Sequence, residues 1–342
     1  MKRHFINSLL AMVLLAPLGA GQTGARQTGQ DQAGKDQAAS VTATAPAYPV
    51  ATLRRDFKDS FPIPAGEKLE YEINFSRLLL RNASLGVLTF ENLGAVTSRQ
   101  DPGDAAGGQQ KAAPLIEGLN VEFTPAPEEQ LWRLRATAVS KGMLTSLFGV
   151  DVRDRFETLV DMRDFSARVN LKEVKEGEKH FVQSSLYDRA EQQVKYLTTD
   201  LTKPGAPPRA KPLPLEDGML SLLSAIYFVR LQTLKEGQML SFPVSADEAN
   251  YKFEVLVGKR ESIKTDCGKV KTVRLEPKLF GPGRFFNKLQ GEMTMWVSDD
   301  NKRTPLRLVA KTSKGSVSAK LLNFKKKCNI IDQEEEGKNK KD

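Results

Sequence analysis

The sequence predicts a mainly β protein: a curved antiparallel sheet, or open β-barrel-like body, wrapped around one central apolar helix. Three observations predict this class. Short segments of alternating apolar and polar residues recur along the 342-residue chain, turn sequences separate them, and one longer segment is apolar at helical spacing. Strands joined by tight turns lie antiparallel beside one another. Because each strand has one apolar face, we expect the sheet to curve around the helix and cover it.

The N-terminus has the pattern of a secretory signal peptide. Lys2 and Arg3 precede an apolar run from Leu9 to Leu18, and small residues follow it. The run is too short for a permanent membrane span. We therefore predict a signal peptide over residues 1–21 and an exported protein of the periplasm or cell envelope.

Low-complexity segments flank the predicted domain. Residues 22–52 are rich in Gln, Ala, Gly and Thr, and residues 325–342 form a mixed run of charges. Such segments bury too little apolar surface to offset the entropy lost on ordering. We predict a flexible leader at 22–52 and a solvated charged tail at 325–342. Residues 53–324 are then a single β-rich domain, whose core is large enough to need no metal or dense disulfides.

The first half of this domain, residues 53–200, is predicted to be a series of strands. Leu69, Tyr71, Ile73 and Phe75 alternate with polar residues, which is typical of a half-buried strand. The further predicted strands are Leu85–Phe90, Leu119–Phe123, Leu131–Val139, Val152–Val160, Ala167–Val174, Phe181–Leu186 and Val194–Leu197. Residues 92–116 have no such period and are rich in Gly, Gln and Ala, so we predict a disordered insertion there.

A proline-rich segment and the helix follow. Residues 201–214 contain five prolines, which predicts a stiff linker between the two halves of the domain. The helix is predicted at about residues 217–235, with Asp217 as its N-cap and Gly237 as its stop. Apolar residues cover nearly all sides of this segment, and a helix of that kind is buried.

The second half, residues 215–324, continues with strands after the helix. They are predicted through Phe253–Val257, Val273–Leu275, Met293–Val297, Leu306–Ala310 and Val317–Leu321. Turn sequences such as Asp299–Asn301 and Ser313–Gly315 separate them.

Several short motifs follow one another in a distinctive order. They are Gly66–Tyr71, Asp217–Ser221, Gly258–Thr265, Leu275–Pro277, Met295–Asp300 and Pro305–Arg307. This order and spacing resembles a bacterial exported family known as domain of unknown function 3108, over roughly residues 66–324. The resemblance implies a mostly antiparallel β-fold of the cell envelope with no agreed activity, so it supplies no catalytic residue. The segment 92–114 and Cys267 depart from the family's usual pattern.

The chain has two cysteines, Cys267 and Cys328. An even number of cysteines in an exported protein favours pairing, and both lie at predicted strand ends. We predict a disulfide between them; the alternative is two unrelated thiols. A bridge over a loop of this length stabilises a fold by roughly 4 kcal/mol in the chain-entropy model.

Residue types that carry out chemistry are scarce. His4 lies in the predicted signal peptide, which leaves His180 as the one histidine of the mature chain. We therefore predict no cofactor and no transition-metal site, and a catalytic triad could use only His180 as base. Three acidic pairs could support hydrolysis, but each lies beside a turn, where Asp side chains bond to the backbone. The pairs are Asp151 with Asp154, Asp161 with Asp164, and Asp299 with Asp300.

The charge distribution limits the classes of expected partner. The net charge is +9, but Lys and Arg alternate with Asp and Glu. The sequence has no basic stripe interleaved with aromatic residues, so we do not predict nucleic-acid binding. Weak attraction of the basic chain to an anionic membrane surface is an open alternative.

The loop with Arg284, Phe285 and Phe286 is a candidate surface or ligand loop. Its aromatic rings either contact lipid or close a pocket, or they fold back onto the core.

These observations favour a non-enzymatic binding or scaffolding role at the membrane periphery over an enzyme. The expected partners are a membrane surface, a lipid or an envelope protein. One alternative is a carrier for a lipid or another apolar ligand, and a lower-ranked one is an envelope glycan hydrolase that uses a carboxylate pair. The carrier alternative depends on whether the helix leaves a cavity inside the sheet.

Overall fold

The structure, a computed structural model, describes residues 48–57, 61–78, 80–96, 115–141, 151–266 and 268–322. The predicted signal peptide, most of the predicted leader and the predicted charged tail lie outside these residues. So do Cys267 and Cys328, and the predicted disulfide therefore stays a prediction.

In the described residues, fifteen strands form one sheet, and the predicted fold class is confirmed. The strands are β1 (Lys68–Arg77), β2 (Leu80–Ala95), β3 (Leu131–Ser140), β4 (Arg153–Asp161), β5 (Ala167–Glu176), β6 (Lys179–Asp188), β7 (Gln193–Asp200), β8 (Arg209–Pro214), β9 (Leu220–Ser221), β10 (Met239–Ala246), β11 (Ala249–Thr265), β12 (Gly268–Pro277), β13 (Gly291–Ser298), β14 (Pro305–Thr312) and β15 (Gly315–Leu321).

The sheet consists of two meanders joined at its centre. Its order is β8 to β1 followed by β15 to β9, and the centre is the antiparallel pair of β1 and β15, with Tyr71 opposite Leu321. The two edges, β8 and β9, are joined by residues 215–219 alone. An extended chain of that length spans about 20 Å. The edges must therefore lie close together, and the sheet curls without closing.

The inward face of the sheet forms the main core. Along β1, Leu69, Tyr71, Ile73 and Phe75 are buried, as their alternation predicts. They belong to a large apolar cluster that also contains the helix residues.

A second cluster covers the other face of β4 to β6. It contains Ile116, Leu159 and Leu171. The strand predicted at Leu119–Phe123 is wrong, because this segment is irregular. The backbone amide of Asn120 donates to the side chain of Ser184 at 3.2 Å instead of to a strand backbone. Leu119, Val121 and Phe123 pack against the second cluster.

The central helix, α1 (Leu222–Arg230), is shorter than predicted. Its N-cap is Ser221 rather than Asp217, because the hydroxyl of Ser221 accepts from the amide of Ser224 and the Ser224 hydroxyl accepts from the amide of Ser221. The chain before it is extended, and Leu220 pairs with Val244 in β10. Gly218 makes the preceding turn at φ +63°, with the guanidinium of Arg55 where a Cβ would lie.

Three predicted boundaries are corrected. The predicted linker 201–214 is wrong at Arg209–Pro214, because these residues form strand β8. Proline is tolerated in β8 because an edge strand needs no amide donor on its open side. Within the predicted insertion 92–116, residues 92–95 continue β2 and Ile116 is buried, while 97–114 lie outside the described residues. The domain also begins before residue 53, because the amide of Ala51 donates to Met239.

Candidate functional site

An apolar groove runs along one side of α1. The helix packs most closely against β3, β4, β9 and β10, so space remains toward β1, β2 and β11 to β15. Two pockets of about 100 Å³ and 70 Å³ occupy that space. Ile226, Met295 and Leu308 line both pockets, which places the pockets next to each other. The helix therefore does not fill the inside of the sheet.

The larger pocket is walled by the predicted ligand loop. Phe285 and Phe286 are buried, and both line this pocket with Phe253 and Leu279. The ring of Phe286 stacks on that of Phe280, with centroids 5.0 Å apart. The two rings thus fold back onto the core and also form the wall of a pocket.

Arg284 of the same loop does not line either pocket. Its guanidinium lies 2.6 Å from the carboxylate of Glu254 in β11. This ion pair holds the loop against the sheet, and the hydrogen bond from the amide of Phe286 to the carbonyl of Leu279 at 2.8 Å fixes its backbone.

The smaller pocket contains one polar group without a partner. Tyr71 and Tyr227 both line it. The Tyr71 hydroxyl donates to the carbonyl of Pro305 at 2.8 Å, but the buried hydroxyl of Tyr227 has no hydrogen-bond partner among the described residues. Burial raises the pKa of both tyrosines, so both hydroxyls keep their protons.

A second cavity, a charged cleft of about 610 Å³, lies away from the apolar groove. Residues of β4 to β8 and the turn between β10 and β11 line it. That turn consists of Asp247 and Glu248, both at positive φ. Glu248 accepts hydrogen bonds from Gln183 and Arg209, and Asp247 pairs with Lys172. These contacts hold β10 and β11 against the far end of the sheet.

Two buried carboxyl groups, Asp154 of β4 and Glu176 of β5, lie together in this cleft. Burial, and then the charge of Glu176, raises the pKa of Asp154 to about 8. Burial likewise raises the pKa of Glu176. The two carboxyls lie close enough for the negative charge of Glu176 to disfavour ionisation of Asp154. At neutral pH Asp154 therefore keeps its proton.

Comparison with known proteins places the chain in a family. The family model described as "Protein of unknown function (DUF3108)" matches residues 118–322. The chain belongs to this family.

Two further comparisons concern this DUF3108 protein. Its fold is similar to the crystal structure of a β-barrel-like protein of domain of unknown function DUF1849 from Brucella abortus. The TM-score is 0.44 at 10% identity, over 76% of this chain and 97% of that chain. No curated protein matches the sequence significantly.

Of the three acidic pairs considered in the sequence of this DUF3108 protein, Asp161 and Asp164 lie together, because the guanidinium of Arg189 donates to both carboxylates. Asp164 accepts from the amide of Ser166, and Asp300 from the amides of Lys302 and Arg303, which is the role in turns that their positions predict. Asp151 pairs with Arg153 rather than with Asp154.

The real partner of Asp154, Glu176, was missed because it follows the end of the predicted strand. The bridge between Val152 and Glu176 extends the β4–β5 pairing three residues beyond the pair of Arg155 and Glu173 and brings the two carboxyls together. Only the register of this hairpin, which the sequence pattern does not fix at its open end, could have revealed the pair.

Candidate metal ligands are scattered over the part of the chain that the structure describes. No group of three or more His, Cys, Asp or Glu side chains there is arranged to hold a metal ion. His180 lies 3.7 Å from the carboxylate of Glu173 and is about one-third exposed. None of the helices in the described residues is long and apolar enough to cross a membrane.

Proposed function

We propose that this DUF3108 protein is an exported, non-enzymatic protein of the cell envelope that binds the acyl chain of a lipid in the groove beside α1. The observation that carries the proposal is the pair of adjoining apolar pockets between the helix and the sheet. The basic and apolar N-terminal pattern supports export.

The size of the groove favours a narrow ligand. Pockets for drug-sized molecules are roughly 300–1,000 Å³, whereas these pockets are about 100 and 70 Å³ and adjoin at Ile226. A flexible chain can pass from one to the other, but a rigid ring system cannot.

The surfaces of the groove favour a chain that is apolar along its length. Leu222, Ile226, Met295 and Leu308 are only partly buried, so apolar surface is left for a ligand to cover. Each methylene buried there contributes about 0.8 kcal/mol. A chain with about eight buried methylenes would gain about 6 kcal/mol, equivalent to a Kd of tens of micromolar.

The Tyr227 hydroxyl indicates one polar group on the ligand. A buried hydroxyl without a partner costs about 1–3 kcal/mol, and this one lies in the smaller pocket. A carboxyl or ester oxygen would accept a hydrogen bond from this hydroxyl. An apolar chain that ends in such a group is an acyl chain.

The glycan hydrolase alternative is less well supported. Glycosidase carboxyls stand roughly 5–9.5 Å apart, with the sugar or a water between them. Asp154 and Glu176 instead lie on neighbouring strands and are only 5% and 6% exposed, which gives a bulky sugar ring little access to them.

The test is displacement of a fluorescent fatty acid, cis-parinaric acid, by dodecanoic acid from the purified protein. In Leu308→Trp the indole fills the junction of the two pockets, so we expect at least tenfold weaker binding. Leu93→Trp makes the same change at a position that is 38% exposed and lines neither pocket, and its affinity should stay within twofold of wild type. Failure of dodecanoic acid to displace the probe, or equal loss in both folded variants, would reject the proposal.

A further inference from the structure

The charged cleft has a volume of about 610 Å³, and the proposed acyl-chain function does not use it. Six carboxyl groups and four cationic groups line it. Three of the cations are already paired with carboxylates of the cleft: Lys172 with Asp247, Lys203 with Asp200, and Arg209 with Glu248. The cleft therefore has more negative than positive groups, and most of its own cations are engaged.

The remaining carboxyl groups are concentrated at one place. Asp154 and Glu176 are only 5% and 6% exposed, and the nearby cations are Lys172, which pairs with Asp247, and Lys179 on β6. Burial outweighs the attraction of these two lysines, so the pKa values of both carboxyls stay raised.

Two buried oxygens in the cleft lack donors. Oε2 of Glu176 and Oδ2 of Asp247 accept no hydrogen bond in the described protein. Buried acceptors of this kind are normally satisfied, and a carboxylate oxygen can accept only from a donor. A ligand that satisfies both must supply N–H or O–H donors, and positive charge favours it further.

Apolar side chains lie beside the carboxyl pair. Phe156, Val174 and Phe181 line the same cleft, and the ammonium of Lys172 already lies 5.8 Å from the ring of Phe181. These surfaces suit the methylene groups of an alkylamine next to its charged end.

We infer that this cleft is a second binding site, independent of the apolar groove, and that its ligand is an organic cation with a primary ammonium group, whose N–H groups donate to the unpartnered carboxyl oxygens of Glu176 and Asp247. When the ammonium binds, the protonated carboxyl releases its proton to solvent and both carboxylates accept hydrogen bonds from the ligand. A compact ammonium provides three donors, as many as the pair and Asp247 can use. Hydroxyl ligands provide donors but no charge, so they cannot displace the proton.

The experiment is calorimetric titration of the full chain with 1,4-diaminobutane at about pH 7, in two buffers of different ionisation enthalpy. We expect binding with release of about one proton for each ligand bound. Butane-1,4-diol, which has the same length and no charge, should bind at least tenfold more weakly. Magnesium ions alone should not compete with the diamine.

Two variants locate the site. Asp154→Asn removes the titrating group, so proton release should disappear and affinity should fall at least tenfold. Glu236→Gln makes the same kind of change at an exposed carboxylate outside the cleft and should keep proton release and stay within about twofold of wild-type affinity. The inference is overturned if the diamine does not bind at millimolar concentration, if the diol binds equally well, if magnesium displaces the diamine, or if folded Asp154→Asn behaves as wild type. Each result is independent of fatty-acid displacement from the groove.

Discussion

Arg230 and Glu67 form a buried, two-point ion pair that fixes the end of the central helix. Nη1 and Nη2 of Arg230 donate to the two carboxylate oxygens of Glu67 at 2.7 and 2.8 Å, and both side chains are 2% exposed. Nη2 also donates to the carbonyl of Lys302 at 3.1 Å. One side chain thus joins the last turn of α1, the start of β1 and the loop before β14.

The first prediction compares the stability of a variant that loses one member of this ion pair with that of a variant that loses both. Glu67→Ala leaves the Arg230 guanidinium buried without its counter-ion, so we expect a loss of about 3–5 kcal/mol in the free energy of unfolding. Glu67→Leu with Arg230→Met removes both charges and keeps apolar volume, so the loss should be below about 2 kcal/mol. Urea denaturation measures both. A double variant as unstable as the single one would show that the pair itself, and not the unpaired charge, stabilises the helix end.

The second prediction concerns stability and pH at Asp154. Its pKa in the folded protein is about 8, above the ordinary value of 3.8, so the folded state holds a proton that the unfolded state has lost. The stabilisation that this proton provides is therefore fully present below about pH 4 and is lost as the pH rises toward 8. The free energy of unfolding falls by up to about 4 kcal/mol between pH 5 and 8. Asp154→Asn cannot ionise and should show a flatter profile.

The measurement is urea denaturation of both proteins at several pH values in that range. Glu178→Gln, an exposed carboxylate nearby, serves as the control and should follow the wild-type profile. An Asp154→Asn profile as steep as that of wild type would assign the pH dependence to other groups.

The third prediction concerns the turn between β10 and β11. Asp247 and Glu248 have φ values of +49° and +60°, and in a turn of this type the sequence Asp-Gly is preferred. Local backbone preference alone would therefore make Glu248→Gly stabilising. We expect a net loss of about 1 kcal/mol instead, because the Glu248 carboxylate accepts from Gln183, Thr198 and Arg209 and their loss leaves a buried amide donor without its partner.

Thermal denaturation of Glu248→Gly tests this balance. Glu248→Gln is a useful companion, since it keeps an acceptor oxygen and the backbone strain but loses the charge. A rise in Tm for Glu248→Gly would mean that the turn conformation, and not its contacts with the far strands, limits stability.

Much of the fold follows from local patterns, whereas the sites depend on distant pairings. The alternation at Leu69–Phe75 predicts β1, and the apolar segment after Gly218 predicts the helix, because burial of one face or stripe leaves a periodic trace. The helix start was misplaced because Asp217 and Ser221 are both good caps and only the strand pairing of Leu220 excludes the first.

The candidate sites leave weaker traces. Tyr227 has the spacing of a core residue, and its unpartnered hydroxyl appears only once the neighbouring strands are in place. Phe285 and Phe286 could be assigned to a ligand loop, but whether they pack inward depends on the bridge between Phe280 and Phe286. Contacts of this kind are not encoded in any periodicity.

The fourth prediction uses the two tyrosines of the smaller pocket as a matched pair. In Tyr227→Phe a buried hydroxyl without a partner is removed, so the free protein should gain about 1 kcal/mol of stability. In Tyr71→Phe the hydrogen bond to the carbonyl of Pro305 is lost, which should cost about 1 kcal/mol. If the Tyr227 hydroxyl binds the polar end of an acyl chain, affinity for dodecanoic acid should fall about tenfold in Tyr227→Phe and remain near wild type in Tyr71→Phe. Denaturation and fatty-acid displacement on the same samples measure both quantities. Equal affinities in the two variants would remove the argument for an acyl group and leave only that for an apolar chain.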